Sequence, residues 1–290
     1  MRKIAYLSSK ATLPGSPTRR SDAFEHDRMM AALRDPFSEK GMSVIDVDWA
    51  DKSIDWSRFE AAIIGTTWDY WDHHDAFIET LQHIERETLL LNSSSLVRWN
   101  SHKGYLRDLA AKGAKLIPTL WLDRVDDTAF VATFERLGSN DLVFKRQVGA
   151  GADGQFRLAP SDALPEMPHP MMVQPFMSRI QEEGEYSFIF IDGAFSHALL
   201  KTAKSGDYRI QSTYGGSETP VKPSPEDLAD ATEILQILDE APLYARVDML
   251  RGDNGRLLLM ELELIEPYLY PLEGPKLGPM MAAAIQNRLG

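Results

Sequence analysis

The chain has 290 residues, 43% of them hydrophobic and 9% aromatic, and 31 Lys+Arg against 43 Asp+Glu give a net charge of -12. That content excludes a disordered chain, and about 150 residues per domain suggests two packed units, with room for a small third lobe. An acidic chain with no concentrated basic patch speaks against nucleic acid and anionic membrane as partners. Zero cysteines exclude disulfides, thiolate metal sites and cysteine nucleophiles, and fit a reducing, cytoplasmic setting. The seven histidines, His26, His73, His74, His83, His102, His169 and His197, show no HxxxH or HExxH spacing. No apolar run reaches the roughly 18 residues that span a bilayer.

Along the first hundred residues, short apolar runs alternate with amphipathic stretches, the pattern of an α/β layer. Lys3–Ser8 reads as a strand, Phe24–Lys40 as a helix stopped at Gly41, and Val44–Val47 and Ala61–Gly65 as strands. Asp75–Arg86 is a helix with Phe77, Ile78, Leu81 and Ile84 on one face, and Leu89–Leu91 closes the unit. From Ser101 the pattern changes. One helix, Ser101–Lys112, precedes another at Asp127–Leu137 and β-like segments at Asp141–Arg146, Gly154–Leu158, Met171–Pro175, Glu185–Ile191, Phe195–Leu200, Leu243–Leu250 and Arg256–Ile265. Pro225–Leu238 and Pro279–Asn287 supply the remaining helices. Strands in succession with few crossovers mean a largely antiparallel sheet, an α+β unit.

The most informative stretch runs from Tyr244 to Glu263. Asn254-Gly255 is a strong hairpin signal, because both central residues of a type I′ turn need positive φ. A two-residue loop there puts Asp248 opposite Glu261 and Arg246 opposite Glu263. Alternation then places all four on one face, with Met260, Leu262 and Leu264 on the other. Like charges opposite one another on a sheet are destabilising. A hard divalent cation offsets that, and a solvated strand face with scattered charge is the plainer alternative.

Two further segments carry chemistry. Leu142-Val-Phe-Lys145 puts a lysine on an apolar strand, where burial calls for an anion. The glycines that follow, Gly149, Gly151 and Gly154, spell GxGxxG. A dinucleotide fold needs a helix immediately after that motif, and Gln155–Leu158 with Pro160 leaves no room for one. The loop reads instead as a flap able to close over phosphates, or as an ordinary glycine hairpin. The apolar strand ending at Met172-Val-Gln174-Pro175-Phe176-Met177 can offer backbone groups to an adenine edge. Glu185 is then a nearby carboxylate for ribose.

These residues together resemble the ATP-grasp superfamily of carboxylate–amine ligases, over Ser101 to Glu266. Tyr244–Asp248, the Asn254-Gly255 turn and Met260–Glu263 are similar to the metal-binding hairpin of D-alanine:D-alanine ligases and glutathione synthetases. The Glu-Leu-Glu-Leu-Ile-Glu-Pro ending also resembles that of the ligase closing the D-cycloserine ring. The resemblance implies an N-terminal parallel α/β (pre-ATP-grasp) domain over 1–98, a small central lobe over 99–175, and a C-terminal lobe with an antiparallel sheet over 176–290. It implies ATP, with Mg²⁺ or alternatively Mn²⁺. Arg246 would steady the transferring phosphoryl group, and Asp248 and Glu261 would hold metal. Glu263 stands where asparagine is usual, which leaves one or two ions open. Lys103 and Lys145 would contact the α- and β-phosphates under the Gly149–Gly151 loop. Gln174 and Met177 would meet adenine, Glu185 ribose, and Lys201 and Arg209 the γ-phosphate and substrate carboxylate.

The N-terminal domain of such ligases contributes to the acceptor site. Two segments follow strands at the edge where open α/β sheets bind ligands. Arg19 and Arg20 are a carboxylate clamp or a plain surface pair. Trp68, Asp69 and Tyr70 line a pocket for an amine or form a subunit contact, a homodimer being open. Tyr268 is a further candidate, with Tyr270. The expected reaction activates a small-molecule carboxylate as an acyl phosphate for attack by an amine. A phosphotransferase and a non-catalytic nucleotide-binding regulator are the alternatives.

Overall fold

A computed structural model of the chain describes residues 1–148, 154–204 and 215–290. The first sheet is parallel, in the order β2 (Met42–Asp48), β1 (Arg2–Ser8), β3 (Ala61–Ile64) and β4 (Leu89–Leu91). Its strands are apolar on both sides because both sides are covered. Ile4, Tyr6 and Ile63 pack with Met29, Met30 and Leu33 of α1 (Phe24–Glu39). Ala5, Leu7 and Ile64 pack with Phe77, Ile78 and Leu81 of α2 (His74–Glu87).

The helix expected at Ser101–Lys112 is present in shorter form, over Tyr105–Ala111, and a separate helix precedes it. The first, α3 (Ser94–Asn100), is N-capped by Ser93, whose side chain accepts from the Leu96 N–H; the second is α4 (Tyr105–Ala111). Asn100 is spent on the last strand, donating to Leu262 O at 2.9 Å and accepting from Leu264 N at 3.0 Å. The turn between the helices carries Lys103, whose backbone N–H donates to Gln147 O at 2.8 Å. The turn thus fixes this lysine against the central sheet.

That sheet is antiparallel, in the order β5 (Leu120–Leu122), β8 (Met171–Pro175), β6 (Leu142–Arg146) and β7 (Phe156–Leu158). A strand, β7, does follow the glycine loop, which removes the dinucleotide reading. One face, with Leu142, Phe144, Met171 and Val173, packs on Phe130 and Phe134 of α5 (Asp127–Leu137). Lys145 pairs with Met172 and Val143 with Gln174 on the opposite face. Met172 there joins the core of the third unit.

The third unit opens with the single-turn α6 (Arg179–Glu182), followed by β9 (Glu185–Ile191), β10 (Ala194–Thr202) and β11 (Ser217–Val221). Then come α7 (Pro225–Gln236), β12 (Tyr244–Arg251), β13 (Leu257–Glu263) and α8 (Leu277–Leu289). Its sheet is antiparallel, ordered β11-β10-β9-β12-β13. Leu120–Leu122, Ser94–Asn100, Arg179–Glu182 and Ser217–Val221 escape the sequence reading, being too short or too polar to show a period.

The back of this sheet is apolar. Phe188, Ala198, Val247, Met249, Leu257 and Leu262 pack with Leu106 and Leu109 of α4 and Ala231 and Ile234 of α7. The front divides in two. Ile189, Leu199 and Tyr244 pack against α1 and α8, while the rest carries charge. No helix among the described residues is long and apolar enough to cross a membrane.

Candidate active site on the front of the C-terminal sheet

Register alone gathers the charged half. Lys201 on β10 lies opposite Glu218 on β11 and Glu185 on β9. Asp248 on β12 lies opposite Ser187 and Glu261, and Arg246 opposite Glu263. Directly paired residues share a face, so these eight side chains form one strip.

The hairpin reaches this register by a route the sequence reading missed. Gly255 N–H donates to Gly252 O at 3.0 Å and Gly252 N–H to Arg256 O at 2.8 Å. The turn therefore centres on Asp253 and Asn254 in a three-residue loop, with Gly255 at φ 78°. The added loop residue displaces the pairing by one, so Arg251 meets Leu257 and Met249 meets Leu259. A bulge then restores it, and Asp248 meets Glu261. Met260 is the extra residue of that bulge, not a member of the apolar face with Leu262 and Leu264. The apolar positions of β13 change phase there, from Leu257 and Leu259 to Leu262 and Leu264.

Within the strip, cations and carboxylates are interlocked. Arg246 Nε donates to Asp248 Oδ2 at 3.0 Å, its Nη1 donates to Tyr268 O at 3.1 Å, and its Nη2 donates to Glu263. Lys201 Nζ donates to Glu185 Oε1 at 3.2 Å and to Asp248 Oδ1 at 3.4 Å. Ser187 Oγ also donates to Asp248. Glu185, Asp248, Lys201 and Arg246 are 1%, 2%, 5% and 9% exposed. Gly184, at φ 119°, lets β9 start this close to β10, since a Cβ there would lie 2.5 Å from Lys201 O.

Lys103 reaches over from the turn between α3 and α4 and ion-pairs with Glu261. Lys145 faces the same carboxylates from the central sheet, and among the described residues it has no ion-pair or hydrogen-bond partner. Burial pulls its ammonium down, and Lys103 adds to that. Burial favours neutral Asp248, but Arg246 and Lys201 overcome it and hold the carboxyl at about 2. Lys103 likewise keeps Glu261 low against burial. Glu185 and Glu263 are each pushed to about 7, first by burial and then by neighbouring carboxylates. Glu266, just beyond β13, is raised well above the ordinary range by burial, Glu263 and Glu261.

The expected three-carboxylate cation site is not assembled. Among the described residues no three acids or histidines converge as metal ligands, and Glu263 is turned to Arg246. What remains is a pair of hard oxygen donors, Asp248 and Glu261, set opposite each other.

At the proposed adenine edge, Gln174 is buried and its Nε2 donates to Thr119 Oγ1 at 2.9 Å, while Met177 is half-buried. Glu185 keeps one carboxylate oxygen, Oε2, buried without a partner. Gly149, Gly151 and Arg209 lie outside the described residues.

The N-terminal candidates fare unevenly. Arg19 makes an ion pair with Asp27 at 2.6 Å and donates to Thr12 O and Ala23 O. Arg20 pairs with Asp22 at 2.7 Å and lies over the Trp68 ring at 5.8 Å. Trp68 Nε1 donates to Glu266 O at 3.2 Å, tying this loop to the end of the hairpin. Asp69 accepts from Trp49 Nε1 at 2.7 Å and braces the parallel sheet. Tyr70 is core on its ring side, against Phe77 at 5.2 Å. Its phenol is raised by burial first and then by Glu266, Glu263 and Glu261. Tyr268 and Tyr270 stand edge to face at 4.7 Å beside Arg246. Ser187, Glu218, Glu25 and Glu266 were missed. Period-two alternation from Glu185 points to Ser187, whereas only the folded chain brings in the others.

Comparison with known proteins adds a second line. Residues 4–92 match the family of D-cycloserine synthetase DcsG N-terminal domains. The cycloserine biosynthesis protein DcsG of Streptomyces lavendulae is 29% identical over 262 residues, 84% of this chain and 88% of that protein. The crystal structure of D-cycloserine synthetase DcsG superposes with a TM-score of 0.83 at 25% identity, over 99% of this chain and all of the other. The ATP-grasp ligase PsnB, solved with its minimal precursor, Mg and ADP, shares the fold at a TM-score of 0.66 and 14% identity, over 99% of this chain and 97% of that one.

Proposed function

We propose that the chain is an ATP-grasp ligase that activates the carboxylate of a small amino-acid-derived compound, a reading supported by its fold and by its similarity to the cycloserine biosynthesis protein DcsG. In that reaction the substrate carboxylate oxygen attacks the γ-phosphorus of ATP, and the bond to the β–γ bridging oxygen breaks to release ADP. An amine or similar nucleophile then adds to the acyl phosphate, loses a proton, and expels phosphate. The observation that carries the reading is the strip itself, with Lys103 brought to it from the turn between α3 and α4 and Lys145 from the central sheet. The similarity to a cycloserine biosynthesis protein supports a small substrate related to an amino acid.

Phosphoryl transfer of this kind asks for positioning and charge compensation, not for a protein nucleophile. Lys103 and Lys145 are suited to the α- and β-phosphates. Lys201 and Arg246 are suited to the γ-phosphate and to the charge that develops as it moves. The orphaned Oε2 of Glu185 suits a ribose hydroxyl, and Gln174 with Met177 suits the adenine end. Roles for Arg209 and for the Gly149–Gly151 loop rest on family resemblance alone, as do domain limits near residues 98 and 175.

Charge accounting supports a divalent ion. Each paired cation already neutralises a carboxylate: Lys103 with Glu261, Lys201 with Glu185, and Arg246 with Asp248 and Glu263. Phosphates that recruit these cations leave Asp248 and Glu261 uncompensated, and hard carboxylate oxygens fit Mg²⁺. Bound there, Mg²⁺ would neutralise phosphate charge and orient the γ-phosphoryl group. Glu263 is better suited to holding Arg246 in place than to holding metal.

Incubation with ATP, Mg²⁺ and a panel of amino acids of both hands, scored for phosphate release and for products by mass, tests the reading. A new amide or ring with stoichiometric phosphate is expected. A phosphorylated compound accumulating as the end product would sink it.

A further inference from the structure

Among the described residues, two residues other than glycine take a positive φ. Asp192, at φ 51°, sits beside Gly193 in the tight turn between β9 and β10, where such a conformation is ordinary. Tyr270, at φ 48°, is different: it is a bulky aromatic residue, 6% exposed, in a conformation that favours glycine. Left-handed backbone at such a residue persists only where its surroundings over-determine it.

What the strained backbone achieves is an aim. The Tyr270 ring centroid lies 5.4 Å from Lys201 Nζ and 5.8 Å from Arg246 Cζ, one cation from β10 and the other from β12. Tyr268 meets the same ring edge to face at 4.7 Å. The ring also belongs to the core that Ile189, Leu199 and Tyr244 build on the apolar half of the front. Tyr270 therefore stands on the border between packed core and charged strip.

The backbone is fastened there on two sides. Tyr270 O accepts from Glu273 N at 3.2 Å and from Gly274 N at 3.1 Å, which closes a turn. Gly274 lies against the His197 ring of β10, since a Cβ there would come within 2.2 Å of it. Two residues before Tyr270, Tyr268 O accepts from Arg246 Nη1 at 3.1 Å. The segment is thus pinned to β10 and to β12, the strands that carry the two cations.

Among the described residues the other side-chain partners of these cations are carboxylates. Lys201 has Glu185 and Asp248, and Arg246 has Asp248 and Glu263. A carboxylate neutralises the very charge that a phosphate would use. A π face attracts a cation through its quadrupole and carries no net charge. It can keep hold of Lys201 and Arg246 while they exchange carboxylate oxygens for phosphate oxygens.

We propose that Tyr270 is a positioning residue whose ring face holds Lys201 and Arg246 toward the γ-phosphate. This deepens the function proposed above and rests on it, since that reading places both cations at the γ-phosphate. The role belongs to the ring and not to the hydroxyl.

Calorimetric titration of the full chain with ADP and with AMPPNP, each with Mg²⁺, isolates the γ-phosphate as the ratio of the two affinities. Tyr270→Leu keeps apolar bulk and removes the π face, and should cut that ratio by about tenfold, with ADP affinity within about twofold of the wild type. Tyr270→Phe keeps the face and should hold the ratio within about twofold. Tyr270→pentafluorophenylalanine, close to phenylalanine in shape with its quadrupole reversed, should lower the ratio as leucine does, and it decides the matter where leucine disturbs packing. A ratio that survives the fluorinated ring, or that falls as far in Tyr270→Phe, overturns the proposal. The ligase reading is tested separately by product. Absence of ligated product from every amino acid of the panel, with the ratio moving as stated, would retire that reading and leave the role of the ring standing. Ligated product with a ratio indifferent to position 270 would do the reverse.

Discussion

The parallel N-terminal sheet and the antiparallel C-terminal sheet bring residues to function in different ways. In the parallel sheet both faces are buried under helices, so Glu25, Arg20 and Trp68 hang from loops and helix starts beyond the strand ends. In the antiparallel sheet only the back and half of the front are covered, and the chemistry sits on the strands themselves. Strand-borne groups inherit their spacing from the pleat and are rigid; loop-borne groups need separate anchors, such as the His26 contacts to Thr66 and Asp46. Under the proposed function the strands would carry the phosphate-handling groups, and the loops of the parallel sheet would be the place to look for substrate selection.

The sharpest way to break that division is at the strip. Glu261→Ala, or the volume-conserving Glu261→Gln, should lower Mg²⁺-dependent turnover by about a thousandfold while far-UV circular dichroism stays unchanged. Asp69→Asn, on an N-terminal loop and committed to Trp49, should change turnover by less than about threefold. Comparable losses at the two positions would end the distinction between the sheets.

A smaller effect tests how the sheets are joined. Asn92, just past β4, donates to Tyr244 O at 3.1 Å and Leu264 O at 2.8 Å and accepts from Leu243 N at 2.6 Å. It therefore clamps the end of the parallel sheet to both strands of the hairpin. Asn92→Ala should cost about 3 kcal/mol in urea denaturation, since three buried partners lose their bond. A cost under about 1 kcal/mol would mean that the sheets are coupled by packing alone.

The burial of Glu25 makes a prediction about pH. Folding raises Glu25 to about 7, first through burial, so between the ordinary carboxylate range and pH 7 the folded protein binds more protons there than the unfolded chain. Stability contributed by this group is therefore present at pH 5 and lost as pH rises through 7. His197, lowered to about 4 by burial, works in the opposite sense below pH 6.5 and cancels between variants. Glu25→Gln should match the wild type at pH 5 and exceed it by on the order of 1 kcal/mol at pH 8. A constant difference across that range would show that Glu25 is not held in an unfavourable site.

How much was legible follows the same division. Alternation within Glu185–Ile191, Tyr244–Arg251 and Leu257–Glu263 exposes the strip, because in a half-covered antiparallel strand each second residue must face the core. The parallel strands were equally visible as apolar runs, but their loops have no period. Nothing local marks Glu25 as different from Asp27, or tells that Arg19 spends its charge on Asp27 while Trp68 reaches Glu266. Glu218 is invisible for another reason: its significance is its register with Lys201, and β11 is too polar to read as a strand.

The hairpin turn shows a correct register reached by two departures from the expected geometry, and it yields the smallest test. If Asn254 and Gly255 formed the centre of a type I′ turn, both would need positive φ; only Gly255 has it, at 78°. Asn254 instead uses its side-chain oxygen to accept from Arg256 N at 3.0 Å. A Cβ on Gly255 would meet nothing within 4 Å, so Gly255→Ala should cost only the backbone strain of a left-handed residue, about 1 kcal/mol. Asn254→Gly should also destabilise, by a few tenths of a kcal/mol to about 1 kcal/mol, because it loses the side-chain acceptor and stiffens nothing. In a type I′ turn the same change would be neutral or better. Neither variant should alter turnover, since the bulge at Met260 sets the opposition of Asp248 and Glu261 independently of strain at the tip. A parallel fall in kcat would mean that the loop, and not the bulge, holds the register.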